Sequence, residues 1–205
     1  MISGLRSEAR KLLDFYFERA DLEIPKVDFP LGRKERATQM PILYQGDNPY
    51  CVPCSVLWLS NWFGATKSVP FDQFLSKCDI DPRGSKPSQV LDAARKLGII
   101  PNYLYLRDPT NQLTLENALK VSPLMIGLWD WPLVPNQGHE MVLLDKTEDG
   151  SWLCVNWANP NRTDFVTLPS DTEFVSAVAF ADLGGVTARL PFILGLIQKL
   201  LTFFT

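Results

Sequence analysis

Near the start of the chain, Leu5, Ala9, Leu12, Leu13, Tyr16 and Ala20 recur at helical spacing. Arg6, Glu8, Arg10, Lys11, Glu18 and Arg19 lie mainly elsewhere, so residues 3–20 predict an amphipathic helix. The period is then lost. Residues 21–39 hold Pro25, Pro30 and the charged run Gly32-Arg-Lys-Glu-Arg36, and they predict an extended arm leading to a domain that begins at about Met40. Such an arm suits a clamp, a propeptide or a tether to a partner.

A strand-like piece, Pro41-Ile-Leu-Tyr44, is followed by a turn-rich loop, Gln45-Gly-Asp-Asn-Pro-Tyr50. Residues 51–64 then predict a helix, with Pro53 suited to a first turn, Val56, Leu59, Trp62 and Phe63 as a buried stripe, and Gly64 as a stop. A second helix is expected over 86–97, with Val90, Leu91, Ala94 and Leu97 inward and Gly98 closing it, and a third around 115–120. Strands are expected over 99–106, 123–128, 140–145, 152–157, 165–168 and 174–180, with a hairpin turn at Glu148-Asp-Gly-Ser151. Helices come first and antiparallel strands second. That order predicts an α+β fold whose N-terminal helical layer carries a cysteine and packs on an antiparallel sheet carrying a histidine.

Beyond the strands, apolar residues dominate 190–204, with Gly195, Gln198, Lys199 and Thr202 on one narrow helical face. The segment is short for a membrane span, which needs about 20 residues. Residues 184–205 therefore predict a tail helix docked on a protein partner, on another copy, at a membrane surface or on its own domain. The organisation expected is an N-terminal helix and arm (1–39), one domain (40–183) and this tail.

Composition narrows the classes of function. The chain has 205 residues, 46% of them hydrophobic, enough for one domain with a sizeable core. A formal net charge of -3 and a pI near 5.2 give no basic footprint, so a nucleic-acid partner is not expected. Four cysteines (Cys51, Cys54, Cys78, Cys154) do not make a disulfide framework, and the first residues lack the apolar stretch of a secretory signal. Cytoplasmic synthesis with free thiols is the expectation, and the final location stays open. One Cys-x-x-Cys with two distant cysteines lacks the second close pair of a zinc site, so neither metal nor cofactor is expected.

The candidate chemistry centres on the only histidine, His139, which opens the apolar run Gly138-His-Glu-Met-Val-Leu-Leu144. General-base chemistry near neutral pH by an imidazole has to pass through it. Cys51 sits at a predicted helix N-terminus, where peptide dipoles and unpaired N–H groups favour a thiolate, so a lowered thiol pKa is expected. The loop Trp129-Asp-Trp-Pro132 places two aromatics just before the histidine, and Trp129 and Trp131 are candidate substrate-binding residues.

Gln45, Cys51-Val-Pro53, the apolar helix ending at Gly64, the unit Ser88-Gln-Val-Leu-Asp-Ala-Ala-Arg-Lys-Leu-Gly98, and Gly138-His139 opening a strand together resemble the papain-like cysteine peptidases, specifically their compact C39-like branch. The resemblance covers roughly residues 40–180. It implies Cys51 as nucleophile, His139 as base and acid, Gln45 as an oxyanion-hole donor, and Asn156 or Asn159 as the group that orients the imidazole. Asn156, at a strand end, is preferred. A peptide or protein substrate follows. The glycine usual after the nucleophile is Val52 here, which would crowd the oxyanion hole, and no Asp-Pro follows the second strand, only Asn156-Trp-Ala-Asn-Pro160.

Other readings compete. Cys51-Val-Pro-Cys54 at a helix start fits a thiol–disulfide redox motif, although six turn-prone residues stand where such a motif needs a buried strand. A degenerate, non-catalytic peptidase-like module is the third class. Asp182-Leu-Gly-Gly185 resembles the double glycine after which such peptidases cut, which raises the idea of self-trimming of the tail.

Overall fold

The computed structural model describes residues 32–64, 69–81, 84–100, 102–106, 108–129 and 138–181. The expected helix over 3–20, the tail over 184–205, Gly185 and Trp131 lie outside them.

Where an extended arm was expected, the chain forms a helix, α1 (Arg33–Thr38). It buries only Ala37, so it leaves no apolar stripe to be read in sequence. Long cations fasten it instead. The Arg33 guanidinium donates to the Leu144 carbonyl (3.1 Å) and to that of Leu119. That of Arg36 lies 4.1 Å from the Trp62 ring centroid and donates to the Trp62 carbonyl. Since Trp62 ends the next helix, this places a cation where carbonyls lack partners and the dipole favours positive charge.

That next helix is α2 (Cys51–Trp62), and ten of its twelve residues are buried. It threads the interior with β3 on one side and α3 and α4 around it. The residues 41–44 ahead of it carry no strand, contrary to expectation. The short α3 (Phe71–Lys77) was not anticipated either, because it buries only Phe74 and gives too few apolar positions for a period. In α4 (Pro87–Lys96) the residues Val90, Leu91 and Ala94 face inward, as their spacing predicts, whereas Leu97, also expected inward, lies just past the helix end and is half exposed.

β1 (Asn102–Tyr105) starts later than expected, since Ile99 and Ile100 are buried in the turn that follows Gly98, whose φ is +69°. α5 (Gln112–Val121) is capped by Asn111, whose side chain accepts from the Thr114 N–H. Then come β2 (Leu124–Trp129), β3 (Gly138–Lys146), β4 (Trp152–Asn156), β5 (Asp164–Leu168) and β6 (Ser176–Ala181). β6 begins after Phe174, which is a buried plug with its ring 6.2 Å from that of Trp152.

All pairings are antiparallel, in the order β1-β6-β2-β3-β4-β5. Both faces of the sheet are covered. Met125, Val142, Leu144, Val155 and Val178 join the core around α2. Ile126, Met141, Leu143, Cys154 and Ala177 join the one against α5. β3 is buried on both sides, which is why its sequence is a continuous apolar run rather than an alternation. The architecture is the α+β arrangement expected, with a cysteine at the start of a buried helix and a histidine near the start of a central strand. Among the described residues, no helix is long and apolar enough to cross a membrane.

Candidate active site

Cys51 is the first residue of α2 and is half-buried, whereas Cys54, Cys78 and Cys154 are buried. Tyr50, ahead of it, provides no side-chain cap, so the first N–H groups of α2 meet no capping side chain. The backbone N–H of Glu140 acts on the Cys51 thiol, favouring its charged form, which sets the thiol near β3 one residue beyond His139. A second link crosses the same gap. The indole N–H of Trp157, which is buried, is shared between the Glu140 carbonyl (3.1 Å) and Ser55 Oγ (3.2 Å). Ser55 in turn donates to the Cys51 carbonyl (2.8 Å).

His139 is buried, and its Nε2 lies 2.8 Å from Asn156 Oδ1. The other end of that amide, Nδ2, donates to Asp164 Oδ2 at 3.1 Å. This second bond decides the chemistry of the first. A carboxylate only accepts, so Nδ2 faces Asp164, Oδ1 faces the ring, and Nε2 must carry the proton. Nδ1 is then the basic nitrogen. Asp164 was missed by the sequence reading; its signal is the antiparallel register that pairs it with Asn156 across β4 and β5, which becomes visible only once the strands are aligned. Asn159 does different work, accepting from the Asn161 N–H (2.9 Å) in a turn.

Gln45 lies in the turn leading into α2, its N–H donating to the Trp157 carbonyl (3.1 Å) and its carbonyl accepting from the Asn48 N–H (3.2 Å). Its side-chain Oε1 is buried without a hydrogen-bond partner. The Val52 side chain is buried in the core around α2, so its bulk is taken up there. Trp129 ends β2 opposite Gly138 and is 59% exposed; a Cβ on Gly138 would come 3.8 Å from its ring.

The electrostatics correct one expectation. Burial pushes the Cys51 thiol up from its ordinary value, opposed by the Glu140 N–H and reinforced by the Glu140 carboxylate. Desolvation outweighs the helix N-terminus that was expected to lower it. Burial likewise lowers the His139 imidazole, with the Asn156 hydrogen bond acting the other way. Burial thus disfavours both the thiolate of Cys51 and the imidazolium of His139. Cys54 is fully enclosed and its thiol is pushed far up by burial, an environment unsuited to the redox reading of Cys51-Val-Pro-Cys54. Among the described residues, no group of three His, Cys, Asp or Glu side chains could hold a metal ion.

A central helix that starts at a cysteine, packed on an antiparallel sheet that presents histidine and asparagine, defines the papain-like fold. Solved structures agree. The chain is similar to the peptidase domain of Streptococcus ComA, a bifunctional ABC transporter involved in a quorum-sensing pathway, with a TM-score of 0.52 and 13% identity over 68% of this chain and 96% of that one. It is also similar to the proform of Amb a 11, a ragweed-pollen cysteine protease, with a TM-score of 0.52 and 13% identity over 73% of this chain and 64% of that one. At that identity the likeness shows the fold. No family model and no curated protein sequence matches the chain.

Proposed function

We propose that this protein is a cysteine peptidase that cleaves a peptide or isopeptide bond through an acyl-enzyme, with Cys51 as nucleophile, His139 as base and acid, and Asn156 as the orienting amide. The observation that carries the reading is the chain Asp164–Asn156–His139, which puts the imidazole proton on Nε2 and makes Nδ1 the basic nitrogen, on the strand whose next residue, Glu140, bears through its backbone on the Cys51 thiol. Similarity in fold to a peptidase domain and to a cysteine protease supports it.

In this mechanism Nδ1 takes the thiol proton as the sulfur attacks the carbonyl carbon. Removing that proton only on attack suits a site where burial disfavours both ions at rest. The oxyanion is met by the Cys51 N–H and the Gln45 amide, an arrangement worth roughly 3 kcal/mol per donor in comparable sites. The imidazolium gives its proton to the leaving nitrogen as the C–N bond breaks. A water, deprotonated by His139, then hydrolyses the thioester and regenerates the thiol. Trp129, and Trp131 beyond the described residues, are the proposed contacts for a peptide or protein substrate.

The test is alkylation by iodoacetamide across pH, located by peptide mass, on wild type, Cys51→Ser and His139→Ala. Modification is expected at Cys51 first, and at neutral pH to slow roughly 10²-fold in His139→Ala, the scale of a lost general base. Equal rates in wild type and His139→Ala would leave a papain-like fold without its chemistry and favour a binding module.

A further inference from the structure

The Glu140 side chain has no part in the mechanism above, yet it is buried next to the proposed nucleophile. Its Oε1 accepts from Ser176 Oγ (3.3 Å), and its Oε2 is buried with no hydrogen-bond partner. A carboxyl in that condition is costly, and an apolar residue would fill the position more cheaply in a strand that continues Met141-Val-Leu-Leu144. The neighbours are shaped around it. Gly127 stands directly opposite Glu140 on β2 and opposite Ser176 on β6. A Cβ on Gly127 would lie 2.7 Å from Glu140 Oε1 and closer still to Ser176 Oγ.

Residues two apart on a strand share a face, as do directly opposed partners. Gly127 and Trp129 on β2 and Gly138 and Glu140 on β3 therefore share one face of the sheet, the face on which Val142 packs toward α2. The Glu140 carboxyl and the Ser176 hydroxyl fill the space over Gly127, and the exposed Trp129 ring stands against Gly138, so an aromatic ring and the carboxyl are near neighbours on the side of the sheet that faces α2 and Cys51. An aromatic face followed by an unmatched carboxylate fits a side chain with an apolar stem and a cationic head.

Resting on the peptidase reading, we propose that Glu140 is a specificity-determining residue that receives a lysine or arginine side chain of the substrate near the scissile bond. The pairing acts on the nucleophile as well. The Glu140 carboxylate raises the Cys51 thiol pKa by its charge, so a substrate cation that neutralises it makes the thiolate easier to form. The titratable groups facing Glu140 are Cys51 on α2 and Tyr105 on β1, whose hydroxyl is also pushed up by the carboxylate, with His139 preceding it on β3. Burial moves Glu140 itself up to about 7. An incoming cation would hold it ionised.

The test uses tripeptide acyloxymethyl ketones carrying lysine, its uncharged isostere norleucine, or glutamate at each position in turn. Intact mass follows the rate of Cys51 modification in wild type and Glu140→Gln. At one position the lysine probe should react at least about tenfold faster than the norleucine probe in wild type, the scale of one hydrogen bond to a charged group. In Glu140→Gln the ratio should fall to about one, while the iodoacetamide profile moves to lower pH because a like charge is gone. Within wild type alone, the ratio should shrink as pH falls through the titration of Glu140, a readout independent of how the variant folds. Equal rates for lysine and norleucine at every position, or a preference that survives in Glu140→Gln, would overturn the assignment while leaving the peptidase reading intact. A Cys51 inert to iodoacetamide in wild type would overturn both.

Discussion

Asn156 is held at both ends, and that is what makes it more than a neighbour of His139. An amide bonded only to the ring could present either its oxygen or its nitrogen, and the tautomer would follow its choice. The Asp164 carboxylate removes the choice. Asn156→Ala should accordingly do two things. The plateau of kcat/KM falls roughly 10²-fold, as the imidazole loses its tautomer and plane. The acid limb also moves to lower pH, since the Asn156 hydrogen bond raises an imidazole that burial already lowers, and removing it lowers that group further. A pH–rate profile of the two proteins checks both, and a limb that moves to higher pH would show that Asn156 does not support the charged ring. The places of Cys51, His139 and Asn156 in the fold were legible in sequence because each sits at a boundary that the apolar pattern marks: a helix start, a strand start, a strand end. Asp164 was not, because a carboxylate at the start of an ordinary strand gains meaning only from the residue paired across it.

Between elements, the critical joint is the one that sets α2 against β3, because the proposed nucleophile and base arrive on different layers. The Trp157 N–H makes that joint, reaching Ser55 on the helix and the Glu140 carbonyl on the strand. Trp157→Phe keeps a ring but strands that carbonyl in the core. A loss of about 1–3 kcal/mol is expected, read from urea midpoints. The His139-dependent part of Cys51 alkylation should fall with it; unchanged alkylation in a destabilised protein would show the joint to be structural only. The elements themselves were legible in proportion to their apolar pattern. α4 shows a clear stripe, and β3 and β4 each hold a continuous apolar run, Met141–Leu144 and Trp152–Val155, so their existence was readable and only their ends shifted. α1 and α3 each bury a single side chain, Ala37 and Phe74, and no period can be built from one position. α1 is held by arginines reaching Leu144, Leu119 and Trp62, contacts distant in sequence that composition cannot announce.

For the whole molecule, the same carboxyl proposed to read the substrate weighs on folding. The Glu140 pKa rises from 4.5 to about 7 on burial, so between those values the folded chain holds a proton that the unfolded chain has released. Stability therefore declines as pH rises through that window and stays lower above it, the reverse of a carboxylate stabilised by a salt bridge. The size is roughly 3 kcal/mol at most, a substantial part of the margin of a domain this long. Urea unfolding of wild type and Glu140→Gln from mildly acidic to mildly alkaline pH isolates the effect. The two should be nearly equal at the acid end, with the variant increasingly more stable as pH rises and the difference levelling off above neutrality. A constant difference across the range would mean that Glu140 is not desolvated in the folded protein. A costly buried carboxyl next to the proposed nucleophile calls for a compensating role in binding, since the fold would be more stable without it, and a peptide cation is a partner that can supply the missing counter-charge.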